Sequence, residues 1–136
     1  MGYLWISWLS FGFFLLAGVI HLGFFVFEAF LMGRPHIARS LGYGEVEIKA
    51  IRPWALNQSV YNLSLALITF FGLWLIFKKQ IMISGALVSA AGLTMILAGV
   101  TLWFSAPRLR WAAAMQFVPP LLGFVFLILH IKERMG

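Results

Sequence analysis

Four long apolar runs, separated by shorter polar stretches, account for most of the chain. They extend approximately from Leu4 to Met32, Leu56 to Phe77, Ile81 to Ser105 and Ala112 to Ile131. Each is near or above the roughly 20 residues that a helix needs to cross a bilayer. Inside hydrocarbon every backbone amide must find its partner within the segment, and so short a chain cannot close a barrel, so the runs are predicted to be helical. The expected fold is an all-α membrane protein: one four-transmembrane-helix antiparallel bundle over residues 1–136, with a polar loop over 33–55. Pro35 and Pro53 bracket that loop, Lys78 and Lys79 mark a tight turn, and Pro107, Arg108 and Arg110 mark the last one. Pro119 and Pro120 fall inside the fourth run, where they remove two backbone donors and are expected to kink or loosen the preceding turn.

Composition agrees with lipid as the solvent. Hydrophobic residues make up 62% of the chain and charged ones 10%, against roughly 45–50% and about 25% in soluble domains. The formal charge of +6 would suggest nucleic acid in a soluble protein. Here the basic residues lie between the apolar runs and at the C-terminus, without the interleaved aromatics of a nucleic-acid surface. They are read instead as contacts to anionic lipid headgroups, with membrane lipids as partners and no nucleic acid. Arg34, Arg39, Lys49, Arg52, Arg108 and Arg110 follow the first and third runs, while Lys78, Lys79, Lys132 and Arg134 lie on the other side. The positive-inside rule then favours the former group in the cytoplasm and both termini outside. Tyr3, Trp5, Trp54, Trp103 and Trp111 fall near helix ends as headgroup-level anchors. The expected location is a cell membrane crossed several times, of the bacterial inner-membrane kind. Absence of cysteine removes disulfides, thiolate metal sites and thiol nucleophiles.

The informative residues are the polar ones inside the apolar runs, since ionisable and amide side chains there are costly and tend to face a bundle interior. His21 and Glu28 are seven apart in the first run, which puts them on one helical face. Asn57, Gln58, Tyr61 and Asn62 occupy the opening turns of the second run, and Gln116 stands one turn into the fourth. Because neighbouring helices run antiparallel, Glu28, the Asn57–Asn62 turns and Gln116 come within roughly 10 Å of one membrane level at 1.5 Å per residue. His21 is expected about two turns deeper, at the floor of a cavity whose mouth is ringed by Arg34, Arg52, Arg108 and Arg110. His21 and Glu28 supply only two strong ligands, so neither a metal nor any other cofactor is expected. Small residues at four-residue spacing in the third run, Gly85 with Ser89 and Ala86 with Ala90, followed by Ala91, Gly92 and Gly99, predict close helix packing or a subunit contact.

Several of these motifs together resemble the family catalogued as domain of unknown function 1304. They are His21-Leu-Gly-Phe-Phe-Val-Phe-Glu28-Ala-Phe-Leu, Asn57-Gln-Ser-Val-Tyr61-Asn62, Ala98-Gly99-Val and Gln116-Phe-Val-Pro119, and the resemblance spans essentially the whole chain. It implies a small four-helix integral membrane protein of a mostly bacterial family. It also implies that His21, Glu28, Asn57, Gln58, Tyr61, Asn62, Gln116 and Pro119 are the characteristic positions, with no activity attached to them. Ser59 stands where that family usually has Gly, Met32 where an aromatic is common, and Thr101-Leu-Trp103 departs from the usual end of the third helix.

Three functions compete at this stage. The first is binding or transport of a small amphipathic or cationic molecule in an intramembrane polar pocket. Glu28 would be the protonatable counter-charge, with His21, Asn57, Gln58, Tyr61, Asn62 and Gln116 around it. It expects binding to be coupled to proton movement until Glu28→Gln removes the coupling, and a homo-oligomer if so small a bundle transports. The second is a structural or accessory subunit whose polar network serves assembly. The third is a membrane enzyme performing isomerisation or hydration on a lipophilic substrate, with His21 and Glu28 as a catalytic acid/base pair.

Overall fold

The computed structural model describes the backbone of residues 2–136 and the side chains of all but residues 1–7 and 134. The anchor roles expected of Tyr3 and Trp5 therefore lie outside the described side chains. The elements are α1 (Gly2–Val26), continued by a π-helical turn (Phe27–Leu31), a short α2 (Pro35–Ser40), α3 (Glu45–Phe77), α4 (Ile81–Ser105), a 3-10 turn (Pro107–Leu109) and α5 (Arg110–Met135). Among the described residues four segments are long and apolar enough to cross a membrane: Trp8–Leu31, Glu45–Phe77, Ile81–Ser105 and Pro107–Glu133. The chain is a multi-pass membrane protein of four packed helices.

The stretch over 33–55 expected as a loop is mostly helical. Arg34 is extended and Pro35 opens α2, whose first turn does not need the missing N–H. Gly42, at φ +84°, ends the turn after α2 in a left-handed conformation that a side chain disfavours. The Gly44 N–H donates to Glu47 Oε2 at 2.8 Å, and Glu45 and Glu47 sit favourably at the positive end of the α3 dipole. α3 therefore starts eleven residues before the apolar run does, and its 33 residues extend about 50 Å against roughly 30 Å of hydrocarbon. Its first turns project past the membrane core. Pro53 lies within this projecting part, where a carbonyl deprived of its helical donor remains within reach of water. Pro119 and Pro120 leave α5 continuous but remove the donors that would meet the Met115 and Gln116 carbonyls.

Around the bundle the order is α1, α3, α4, α5, with α5 returning to α1. Each helix packs on two neighbours, and at the Glu28 end it is α1 with α3 and α4 with α5 that stay in contact. α1 is bound to α3 along its length: Phe11 meets Phe77 edge-on at 5.8 Å, Phe70 occupies the space that a Cβ on Gly18 would take, and Arg52 lies over Gly33. α4 is bound as closely to α5. Gly99 lies so near Phe117 and the Ala113 carbonyl that a Cβ would come to 2.9–3.0 Å from them, and Trp103 meets Phe117 edge-on at 5.9 Å.

The pairs meet chiefly at the end of the bundle away from Glu28. There the Ser10 hydroxyl donates to the Gly123 carbonyl at 2.9 Å, Phe14 packs edge-on against Phe124 at 5.1 Å, and Phe13 stacks on Phe126 at 5.5 Å. On the other flank Gly72 admits Val88 and Leu87. Midway, Ala17, Ala91 and Met95 form a buried cluster with Leu65 against it. Small residues let backbones approach at these levels, and beyond them the pairs diverge like the arms of a peg. Of the small residues in α4, Ala91, Gly92 and Gly99 are buried in the bundle, whereas Gly85, Ala86 and Ala90 face outward.

Candidate functional site

A cavity of about 620 Å³ occupies the space where the two pairs diverge. Its walls are the last turns of α1, the end of α4 and the start of α5, and Gln58 reaches it from α3. Leu41, Tyr43 and Leu109 line its outer end, and there Arg108 approaches Gly42 from the other helix pair. Most of the lining is apolar, with polar atoms from Glu28, Gln58, Gln116, Thr101 and Ser105.

Glu28 lies on the cavity wall, within the π-helical turn. The Met32 N–H donates to the Phe27 carbonyl at 2.8 Å, five residues back, so the turn is wider than an α-turn. Beyond such a turn side chains leave the 3.6-residue stripe that carries Phe14, Ala17 and His21. Asn62, only 2% exposed, donates from Nδ2 to Glu28 Oε2 at 2.8 Å and joins α3 to α1. Among the described residues Glu28 has no cationic partner, because the ion pair found there is Arg39 with Glu45, an exposed contact at 3.4 Å. The arginines expected around the mouth are exposed at that end of the bundle, and three of them make other contacts. Arg52 covers Gly33, Arg108 lies against Gly42, and Arg110 stacks over Trp103 and donates to its carbonyl.

The other expected site residues divide. Gln116 is buried and lines the cavity, and Gln58 lines it while remaining exposed. Asn57 and Tyr61 point out of the bundle, Tyr61 being 60% exposed. Two pairs spaced four apart, Asn57 with Tyr61 and Gln58 with Asn62, form stripes about 100° apart on one helix. Only one stripe can face inward. His21 is 1% exposed but does not line the cavity. Its Nδ1 lies 2.9 Å from the Ala17 carbonyl, which can only accept, so Nδ1 carries a proton there, and Phe24 meets the ring edge-on at 6.0 Å. His21 and Glu28 thus do not share a cavity wall, and the expected floor is formed by other groups.

Sequence reasoning missed Thr101 and Ser105, which line the cavity from α4. Their four-residue spacing on a predicted helix was a signal for them. It also missed Tyr43 and Leu41, which come from the segment assigned to a loop, and the π-turn, for which the local residues carry no signature. Among the described residues no group of three or more His, Asp or Glu is placed to hold a metal ion.

No curated protein and no solved structure matches the chain. The model of the family described as protein of unknown function, DUF1304, matches residues 15–128. That stretch holds the greater part of each of the four membrane helices and every cavity-lining side chain, and by it the chain belongs to the DUF1304 family.

Proposed function

We propose that this protein binds a small amphipathic molecule bearing a cationic group in the cavity between its helix pairs, with Glu28 as the counter-charge. The observation that carries this reading is a carboxylate on the wall of a mostly apolar cavity, held on one oxygen by Asn62 and paired with no cation of the protein among the described residues. A carboxylate in such surroundings is costly unless its charge is compensated. A guest cation supplies that compensation, and the apolar lining accommodates the rest of the guest. The volume lies within the roughly 300–1,000 Å³ typical of small-molecule sites. Gln58 and Gln116 offer amide donors and acceptors to neutral polar groups of the same guest. Binding needs only one copy, whereas transport by so small a bundle requires a homo-oligomer. The expected setting is a cell membrane, in a bacterium the inner one.

The assembly reading draws on one observation, that the Asn62 to Glu28 bond ties α3 to α1. The two readings separate on Glu28→Gln, which keeps an acceptor for Asn62 but removes the charge. With the protein in lipid nanodiscs, titration with dodecyltrimethylammonium is expected to give saturable binding that Glu28→Gln abolishes while the thermal midpoint stays near that of the parent. Equal binding by both proteins ends the counter-charge proposal.

A further inference from the structure

The shape of the cleft bears on what kind of cation fits it, and this step rests on the binding reading above. The cleft has two flanks of different chemistry. Between α3 and α4 it is edged by Gln58, Thr101 and Ser105, all polar. Between α1 and α5 it is edged by Ile20, Gly23, Phe27, Trp111 and Met115, apolar apart from the indole N–H and the thioether. On this second flank Gly23 faces outward, with nothing within 4 Å of the position a Cβ would take, and Met115 is 42% exposed. Gly23 lies eight residues before Leu31, the end of the first span, and Met115 three residues after Ala112, where the last apolar run begins beyond Arg108 and Arg110. At 1.5 Å per residue Gly23 stands about 12 Å and Met115 about 5 Å inside the apolar segment. This flank therefore opens beneath the headgroups, toward acyl chains.

A compact water-soluble cation gains nothing from an apolar side opening at that depth. A molecule with an alkyl tail does, because the tail stays in hydrocarbon while the head reaches the carboxylate. We infer that the occupant is a membrane-resident, tailed cationic amphiphile, its head at Glu28 and its tail leaving through the gap between α1 and α5 into the bilayer. Phe24, Phe27 and Trp111 on the same walls present aromatic surface to a head of alkylated ammonium type.

The chain has no cysteine, so a single introduced thiol reports on the gap. Gly23→Cys places one at the opening, and Gly12→Cys places one on the same outward face of α1, also with nothing within 4 Å, away from the cavity. Both proteins, in nanodiscs, are labelled with a membrane-permeant maleimide in the presence of dodecyltrimethylammonium or of tetramethylammonium. At about ten times Kd, the tailed probe is expected to slow labelling of the Gly23→Cys protein about tenfold, in proportion to the sites left empty. It should leave the Gly12→Cys protein unchanged, and the protection should vanish when Glu28→Gln is added. Met115→Cys, on the facing side of the gap, serves if Gly23→Cys does not assemble. Glu28-dependent binding of the tailed probe without protection at either position, or tetramethylammonium binding as tightly as the tailed probe, overturns the inference and leaves the binding reading standing. Absence of Glu28-dependent binding by either probe overturns both.

Discussion

The Asn62 side chain donates to Glu28 across the α1–α3 contact at 2.8 Å, and it does so from a position almost sealed from the surroundings. One oxygen of the carboxylate is thereby oriented and the cavity side is left to a guest. Asn62→Leu removes the donor and is expected to lower stability by about 0.6 kcal/mol, the average for hydrogen bonds between membrane helices, and by no more than about 1.7 kcal/mol. The same substitution weakens binding of dodecyltrimethylammonium, because the carboxylate is no longer held toward the cavity. Reversible unfolding in mixed micelles measures the first effect and nanodisc titration the second. Unchanged stability would show that the bond contributes nothing to joining α1 and α3.

His21 is expected to matter to the fold and not to the guest. It is buried away from the cavity wall, with its Nδ1 proton on the Ala17 carbonyl. His21→Leu should shift the thermal midpoint while changing probe affinity by less than about twofold, or about 0.4 kcal/mol. A tenfold loss of affinity at unchanged stability would return His21 to the site.

The α4–α5 contact sets one arm of the cleft and tolerates no added atom at Gly99. A Cβ there would stand 2.9–3.0 Å from Phe117 Cβ, the Ala113 carbonyl oxygen and the Phe117 nitrogen. Two of these are backbone atoms and cannot rotate away, so Gly99→Ala is expected to cost about 1–3 kcal/mol, as overpacking does. Gly85→Ala, on the same helix with open space around it, should cost nothing. Comparing unfolding midpoints of the two variants tests the contact, and equal midpoints would refute it.

Lys79 adopts φ +59° in the turn between α3 and α4, a left-handed conformation unfavourable for any residue with a side chain. The turn closes with the Gln80 N–H on the Leu75 carbonyl at 3.0 Å. Lys79→Gly relieves the strain and is expected to raise stability by about 1 kcal/mol, whereas Lys79→Val lowers it. An unfolding titration of the two variants orders them, and Gly falling below Lys would contradict the turn geometry.

Much of the architecture is legible in the residues alone. The four apolar runs require four helices, because hydrocarbon leaves the backbone no other way to satisfy its amides. The misread stretch, 33–55, is polar enough to resemble a loop, yet Pro35 suits the first turn of a short helix, Glu45 and Glu47 suit a second helix start and Ile48 finds a buried position. Hydropathy reports which part of a helix is in lipid and not where the helix begins. Glu28, Asn62 and Gln116 were likewise evident as polar residues at one depth, because rise per residue converts sequence position directly into height in an antiparallel bundle.

What the residues by themselves determined, then, is the number of spans and the level at which the polar groups lie. Tertiary structure alone decided which of those groups share a cavity. Periodicity relates the side chains of one helix to each other but leaves the rotation of that helix about its axis open. Asn62 and Gln58 face inward and Tyr61 outward because close contacts such as Gly18 against Phe70, Gly72 against Val88 and Gly99 against Phe117 set the rotation and spacing of neighbouring helices. The divergence of the two pairs has the same origin, since Ser10, Phe14 and Gly123 draw them together at one end and, among the described residues, no comparable contact does so beside Glu28.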